Sequence, residues 1–281
     1  MNGDGDRPLL RGEEIVCVRE KYFGAATLGW VLVVGLVTGV GVASEHGGEW
    51  TIVGHARHPE TGRLLYSEIH RQRVSSDGAT VQTATYFDAD NASIAERTVR
   101  FQGIGSAPTF HFVDLRRRSE QGVRVEGADL VAFRKVPGRS EFEERRLAPA
   151  SDLITGPGFD WLVKSSWVRL ESGETVAAEM LVPERLRTIR FELSMVGEGS
   201  LWDEPVVTFR MRFSNPLIRL VAGPIDVIYH RDFRVIMRYE GMSNIKDPKG
   251  GNFQAVIDYP PGDRTDRWSD AGALDIHDEA R

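Results

Sequence analysis

Ile189, Phe191, Leu193 and Met195 alternate with Arg190, Glu192 and Ser194, and Val207, Phe209, Met211 and Phe213 alternate with Thr208, Arg210 and Arg212. A period of two puts every large apolar group on one side of an extended chain, a pattern that suits a strand and not a helix. Segments of this kind must fold their apolar faces together, around a packed core or around a cavity of lipid size. The alternation therefore predicts a mainly β fold in which a curved antiparallel sheet, half-barrel or barrel-like, is crossed by one amphipathic helix.

The rest of the chain supplies more strands. Thr51 to Ala56 reads as the first. Gly62 to Val74 and Ala79 to Phe87 flank Asp77-Gly78, a pair that tolerates positive φ and so marks a hairpin. Asp88-Ala89-Asp90-Asn91 leads into Ser93 to Phe101, and further strands are expected at Thr109 to Leu115, Gly122 to Glu126, Leu130 to Lys135, Glu141 to Leu147, Thr175 to Val182 and Asn252 to Tyr259. Asp88-x-Asp90 also resembles the start of a calcium loop. An EF-hand needs glycine at its sixth position and glutamate at its twelfth, where this chain has Ser93 and Val99, so the turn reading stands.

One helix interrupts the strands. Phe159, Leu162, Val163, Trp167 and Leu170 form a single apolar stripe closed by Gly173, with Trp161 at its edge. The most heavily punctuated stretch is Asn215 to Ile245. Asn215-Pro216 and Gly223-Pro224 bracket a short apolar turn-helix, and Asp226 to Tyr229 and Arg234 to Glu240 form a hairpin ended by Gly241. In its second strand, Val235, Met237 and Tyr239 are expected on one face and Arg234, Arg238 and Glu240 on the other. This stretch reads as a corner that sets the curvature of the sheet.

Tyr22 to Ser44 carries no charged side chain and follows Arg19 and Lys21, whereas Glu45 and Glu49 come after it. That arrangement suits a signal peptide or an uncleaved membrane anchor, with the bulk of the chain outside the cytoplasm. The expected organisation is an N-terminal segment 1–21, a leader or anchor 22–44, one β-rich domain 45–259 and a disordered acidic tail 260–281. Cys17, the sole cysteine, precedes the apolar run and lacks a lipobox context. A formal net charge of −6 argues against a nucleic-acid partner.

Catalytic motifs are missing: there is no Gly-x-Ser-x-Gly elbow, P-loop or His-Glu-x-x-His pair, and Gly103-x-Gly105 lacks the third glycine of a dinucleotide site. No cysteine or acidic cluster near His55 and His58 completes a metal shell. Neither a metal nor a cofactor is expected. Arg116-Arg117-Arg118 reads as a solvated loop, with anionic lipid headgroups as its functional alternative. One polar row stands out: Tyr66, Glu68 and His70 share a strand face, opposite Leu65 and Ile69, and such a trio can bind a polar head or move a proton.

Thr61 to His70, Tyr86 to Phe101, Phe159 to Gly173, and above all NPLIRLVAGPIDVIYH with RYEGMSNI, resemble an uncharacterised group of exported proteobacterial β-rich proteins. The layout of many strands with a crossing helix looks, more distantly, like the half-barrel of periplasmic lipoprotein carriers, in which a curved sheet holds acyl chains. The resemblance implies an exported, periplasmic or envelope protein, and the paired apolar faces Ile189 to Met195 and Val207 to Phe213, with an export signal and no catalytic motif, point to binding of a hydrophobic or lipid-like ligand. The residues expected at its site are Tyr66, Glu68, His70, Trp167, Phe191, Phe209 and Tyr239. An envelope assembly protein acting through protein contacts is the alternative.

Overall fold

The computed structural model describes residues 49–101 and 105–266; the leader or anchor reading of 22–44 and most of the tail fall outside them. Two meanders make the fold. The first runs through β1 (Trp50–Arg57), β2 (Leu64–Val74), β3 (Thr80–Asp88), β4 (Ser93–Phe101), β5 (Thr109–Asp114), β6 (Ser119–Glu126), β7 (Asp129–Lys135) and β8 (Glu143–Leu147). The second starts at β9 (Leu153–Thr155), passes α1 (Phe159–Ser165) and α2 (Trp167–Glu171), and continues through β10 (Val176–Val182), β11 (Arg187–Leu201) and β12 (Glu204–Phe213). After α3 (Pro216–Ala222) it ends in β13 (Ile225–His230), β14 (Ile236–Lys246) and β15 (Asn252–Asp258).

Pairing of β1 with β15 joins the meanders into one 15-stranded sheet with β8 and β9 at its edges. Neighbours are antiparallel except β9 and β10, which are parallel. A parallel pair needs a long crossover, and α1 with α2 supplies it. The sheet curls strongly without closing. Arg134 and Arg145, from β7 and β8, donate to the Glu184 and Leu186 carbonyls between β10 and β11, which brings the two ends of the sheet towards each other. Inward side chains from strands as far apart in the order as β6 (Val123) and β12 (Phe209) join one apolar cluster with Phe159 and Trp167.

Several expectations change. The predicted single helix is two short ones. Ser166 leaves helical geometry at φ −104, ψ 8, and the Ser165 hydroxyl bonds back to the Leu162 carbonyl at 3.2 Å. The five stripe residues are still all buried. β14 does not stop at Gly241; it runs through that glycine to Lys246, with irregular register after Met242. Nor do Met237 and Tyr239 share a face. A bulge opposite Ile228 and Tyr229 turns Met237 outward to Val206 and Ile228, while Ile236 and Tyr239 join the main core.

Pro260 to Asp266, expected at the start of the tail, belong to the described structure. Arg264 bridges to Ile52, donates to the Ile236 carbonyl at 3.1 Å and pairs with Asp266, and it is almost fully buried. Pro260 to Asp266 thus pack across β1 and β14. Among the described residues, no helix is long and apolar enough to cross a membrane.

Candidate functional site: a polar lumen and its mouth

β2 carries Tyr66, Glu68 and His70 on one face, as alternation requires, but that face points into the curled sheet and all three are buried. Of the two residues expected opposite them, Leu65 is buried as well and Ile69 is half-buried. Their neighbours explain why charge survives there. Glu68 accepts a hydrogen bond from the Tyr259 hydroxyl and lies 2.9 Å from His70 Nε2. Gly54, opposite Glu68 on β1, makes this possible, since a Cβ there would lie 2.5 Å from the Tyr259 ring and 2.8 Å from Glu68 Cγ.

Across the sheet, His70 faces Ala84 and Ala84 faces Arg97. The small alanine leaves a gap through which Arg97 Nη2 reaches His70 Nδ1 at 3.4 Å. A guanidinium only donates, so Nδ1 is the acceptor and Nε2 carries the proton towards Glu68. Burial alone would push the Glu68 carboxyl up. His70, the Tyr259 hydroxyl and Arg97 outweigh it and hold the carboxyl below its usual value. The surrounding phenols move the other way: burial pushes Tyr86 up to about 12, and Tyr66, Tyr239 and Tyr259 are also raised, chiefly by burial.

Glu68, His70, Arg97, Tyr86, Tyr239, Asn244 and Tyr259 enclose a cavity of about 20 Å³, room for about one water. Asn244 is also a wall of a larger cleft, about 230 Å³, at the mouth formed by β5, β6, β7, the Pro183–Arg185 turn and the β14–β15 hairpin. Its lining is charged and amide-rich, with Arg117, Gln121, Lys135 and Lys246 among it. Gln121 is buried and its Oε1 has no hydrogen-bond partner. Deeper in, Arg97 Nε and Gln82 Oε1 are likewise buried without partners.

The apolar residues expected at the site are elsewhere. Trp167 packs edge-on against Phe209 (4.9 Å between ring centroids) and Tyr229 (5.8 Å), Phe191 packs on Phe159, and all of these side chains are buried. Only Tyr239 joins Tyr66, Glu68 and His70, and its hydroxyl donates to the Met242 carbonyl. On α1 the buried Asp160 pairs with the half-buried Lys164 at 2.8 Å. His55 pairs with Asp263 at 2.8 Å, and the His58 ring accepts from the Glu60 and Thr61 amides. Among the described residues no group of three or more His, Cys, Asp or Glu could hold a metal.

Sequence reasoning missed Arg97, Gln121 and Asn244. For Arg97 a signal was present: alternation puts it on the same face of β4 as Ala95 and Val99, a charge in an apolar row. Asn244 lies in the irregular end of β14, where period-two reading fails.

Fold and site together define a barrel-like, single-sheet β domain with a polar lumen open at one mouth. No protein-family model matches the sequence, and no curated protein matches it. Among solved structures it is similar to a β-barrel-like DUF1849 protein from Brucella abortus, at 8% identity and a TM-score of 0.40, covering 75% of this chain and 97% of that one. It is also similar to MucB (14% identity, TM-score 0.24, 80% of this chain and 57% of that one). A DUF1329 protein from Desulfovibrio piger gives 11% identity and a TM-score of 0.25, over 82% and 87% of the two chains. Likenesses at these TM-scores assign neither a family nor a function.

Proposed function

We propose that this is an exported binding protein whose ligand is small and polar and sits at the mouth of the curled sheet. One observation carries the reading: a cleft of about 230 Å³ walled by charged and amide groups, with the buried Gln121 Oε1 left unpartnered. Buried acceptors are nearly always satisfied, so an orphan at a cleft wall calls for a donor from outside. The hydrophobic-ligand reading has less support, because Trp167, Phe191 and Phe209 are occupied with one another in the core. Export rests on the uncharged run Tyr22 to Ser44. No catalytic role is proposed for Glu68 and His70, which face space for about one water.

A thermal-shift screen of the full chain tests this. Hydroxylated acids and phosphate esters are expected to raise the melting temperature, and fatty acids are not. A rise with fatty acids alone overturns the proposal. The assembly reading keeps one supporting observation: Leu217, Leu220 and Val221 form an exposed apolar stripe on α3.

A further inference from the structure

We infer that the ligand of this cleft carries an oxyanion next to hydroxyl groups, as in a phosphate monoester of a polyol, and that Arg117 receives the oxyanion. The inference rests on the binding reading above and names its chemistry. Five cations line the cleft, Arg117, Arg134, Lys135, Arg185 and Lys246, against three carboxylates, Asp114, Glu120 and Glu184. This is a local positive excess on a chain of net charge −6.

Partners divide the cations. Lys135 reaches Glu120 at 3.4 Å, Lys246 reaches Glu184 at 3.0 Å, and Arg134 holds Glu143 at 2.5 Å. Among the described residues the Arg117 guanidinium makes no ion pair, and the only hydrogen bond of Arg117 runs from its backbone N–H to Asp114 Oδ1 at 2.9 Å. That bond anchors the turn and leaves the side chain facing the cleft. Gly250 in the β14–β15 hairpin makes room for it: a Cβ there would lie 2.9 Å from Arg117 Nη1. A guanidinium with free N–H donors in a cleft fits a phosphate or carboxylate fork.

The second half of the ligand follows from the acceptors. Gln121 Oε1 is buried and unpartnered, and an oxyanion could not satisfy it. A hydroxyl can, because it donates. The wall carboxylates Asp114 and Glu120 are acceptors too. Donor guanidinium and acceptor amide in one cleft therefore select a molecule with both groups. Such a molecule could be free in solution or be the headgroup of a phospholipid, and the two sources share this chemistry.

The test titrates the full chain with glycerol 1-phosphate, glycerol, inorganic phosphate, and vesicles of phosphatidylglycerol or phosphatidylcholine. Glycerol 1-phosphate, phosphatidylglycerol vesicles or both are expected to bind at least tenfold more tightly than glycerol, inorganic phosphate or phosphatidylcholine. Binding of the free ester identifies a soluble ligand; binding of the vesicles alone identifies a headgroup. Arg117→Gln should weaken the interaction at least tenfold, Gly250→Ala should do so without removing a charge, and Arg118→Gln should leave it unchanged. Binding by Arg117→Gln equal to wild type overturns the inference, as does equal binding of glycerol, in which case a polar-ligand cleft survives without its anion. If no probe binds and the polar screen is also empty, both readings fall.

Discussion

Glu68 shows how a single carboxylate shapes this interior. It is only 4% exposed, and although burial pushes its carboxyl up, His70, the Tyr259 hydroxyl and Arg97 hold it below the usual carboxylate value. A depressed pKa in the folded state stabilises the protein above the unfolded value, about 4.3, and that contribution is lost as pH falls through the folded value. Glu68→Gln leaves Arg97 without its counter-charge and should cost on the order of 3–5 kcal/mol at neutral pH, read by urea denaturation. The gap between wild type and variant should narrow as pH falls below the unfolded carboxylate value, since the unfolded wild-type chain then takes up a proton that the folded one does not. A gap that widens on acidification would show that Glu68 is not held ionised by this network. The row Tyr66, Glu68, His70 was legible as a row, but its direction was not. Strand alternation says which residues share a face and is silent on which face turns inward when both carry mixed polarity.

At the scale of elements, strands were the most legible part, because β2, β3, β4 and β12 alternate cleanly between turns that force positive φ or exclude helix. The signal failed where geometry departs from two: at the bulge beside Met237, at the irregular end of β14, and at β9, three buried residues too short to show a period. The apolar stripe of α1 and α2 was read correctly as buried, while the break between them lies at Ser166, beside a Ser165 hydroxyl that bonds back to the Leu162 carbonyl, and the stripe does not encode it. In α3, the Asn215 side chain accepts from the Leu217 amide at 2.9 Å and the Ile218 amide at 3.4 Å. Asn215→Ala should therefore cost about 1 kcal/mol by denaturant melting. Leu220→Glu on the exposed stripe should change stability by no more than about 0.5 kcal/mol. A large loss at Leu220 would mean that this stripe is covered in solution.

The whole molecule divides its interior by chemistry. Around α1 and α2 it is filled: Trp167, Phe209 and Tyr229 pack ring on ring, and Arg234 stacks 5.0 Å from the Trp167 centroid. Between β2–β6 and β14–β15 it is polar and opens into the cleft. Trp167→Ala should lose about 3–5 kcal/mol in calorimetric or denaturant unfolding, as truncation in a filled core does. A loss under about 1 kcal/mol would mean that the space beside Trp167 was already loose. The apolar strand faces were visible in the sequence, but alternation cannot tell a packed core from a lipid cavity, since both need the same side chains. Whether the interior holds an acyl chain is decided most directly by mass spectrometry of whatever copurifies with the full chain and is released on denaturation. This account predicts a small polar, oxyanion-bearing molecule, or an anionic phospholipid held by its headgroup and lost on Arg117→Gln. Stoichiometric free fatty acid, or lipid retained by Arg117→Gln, would contradict it.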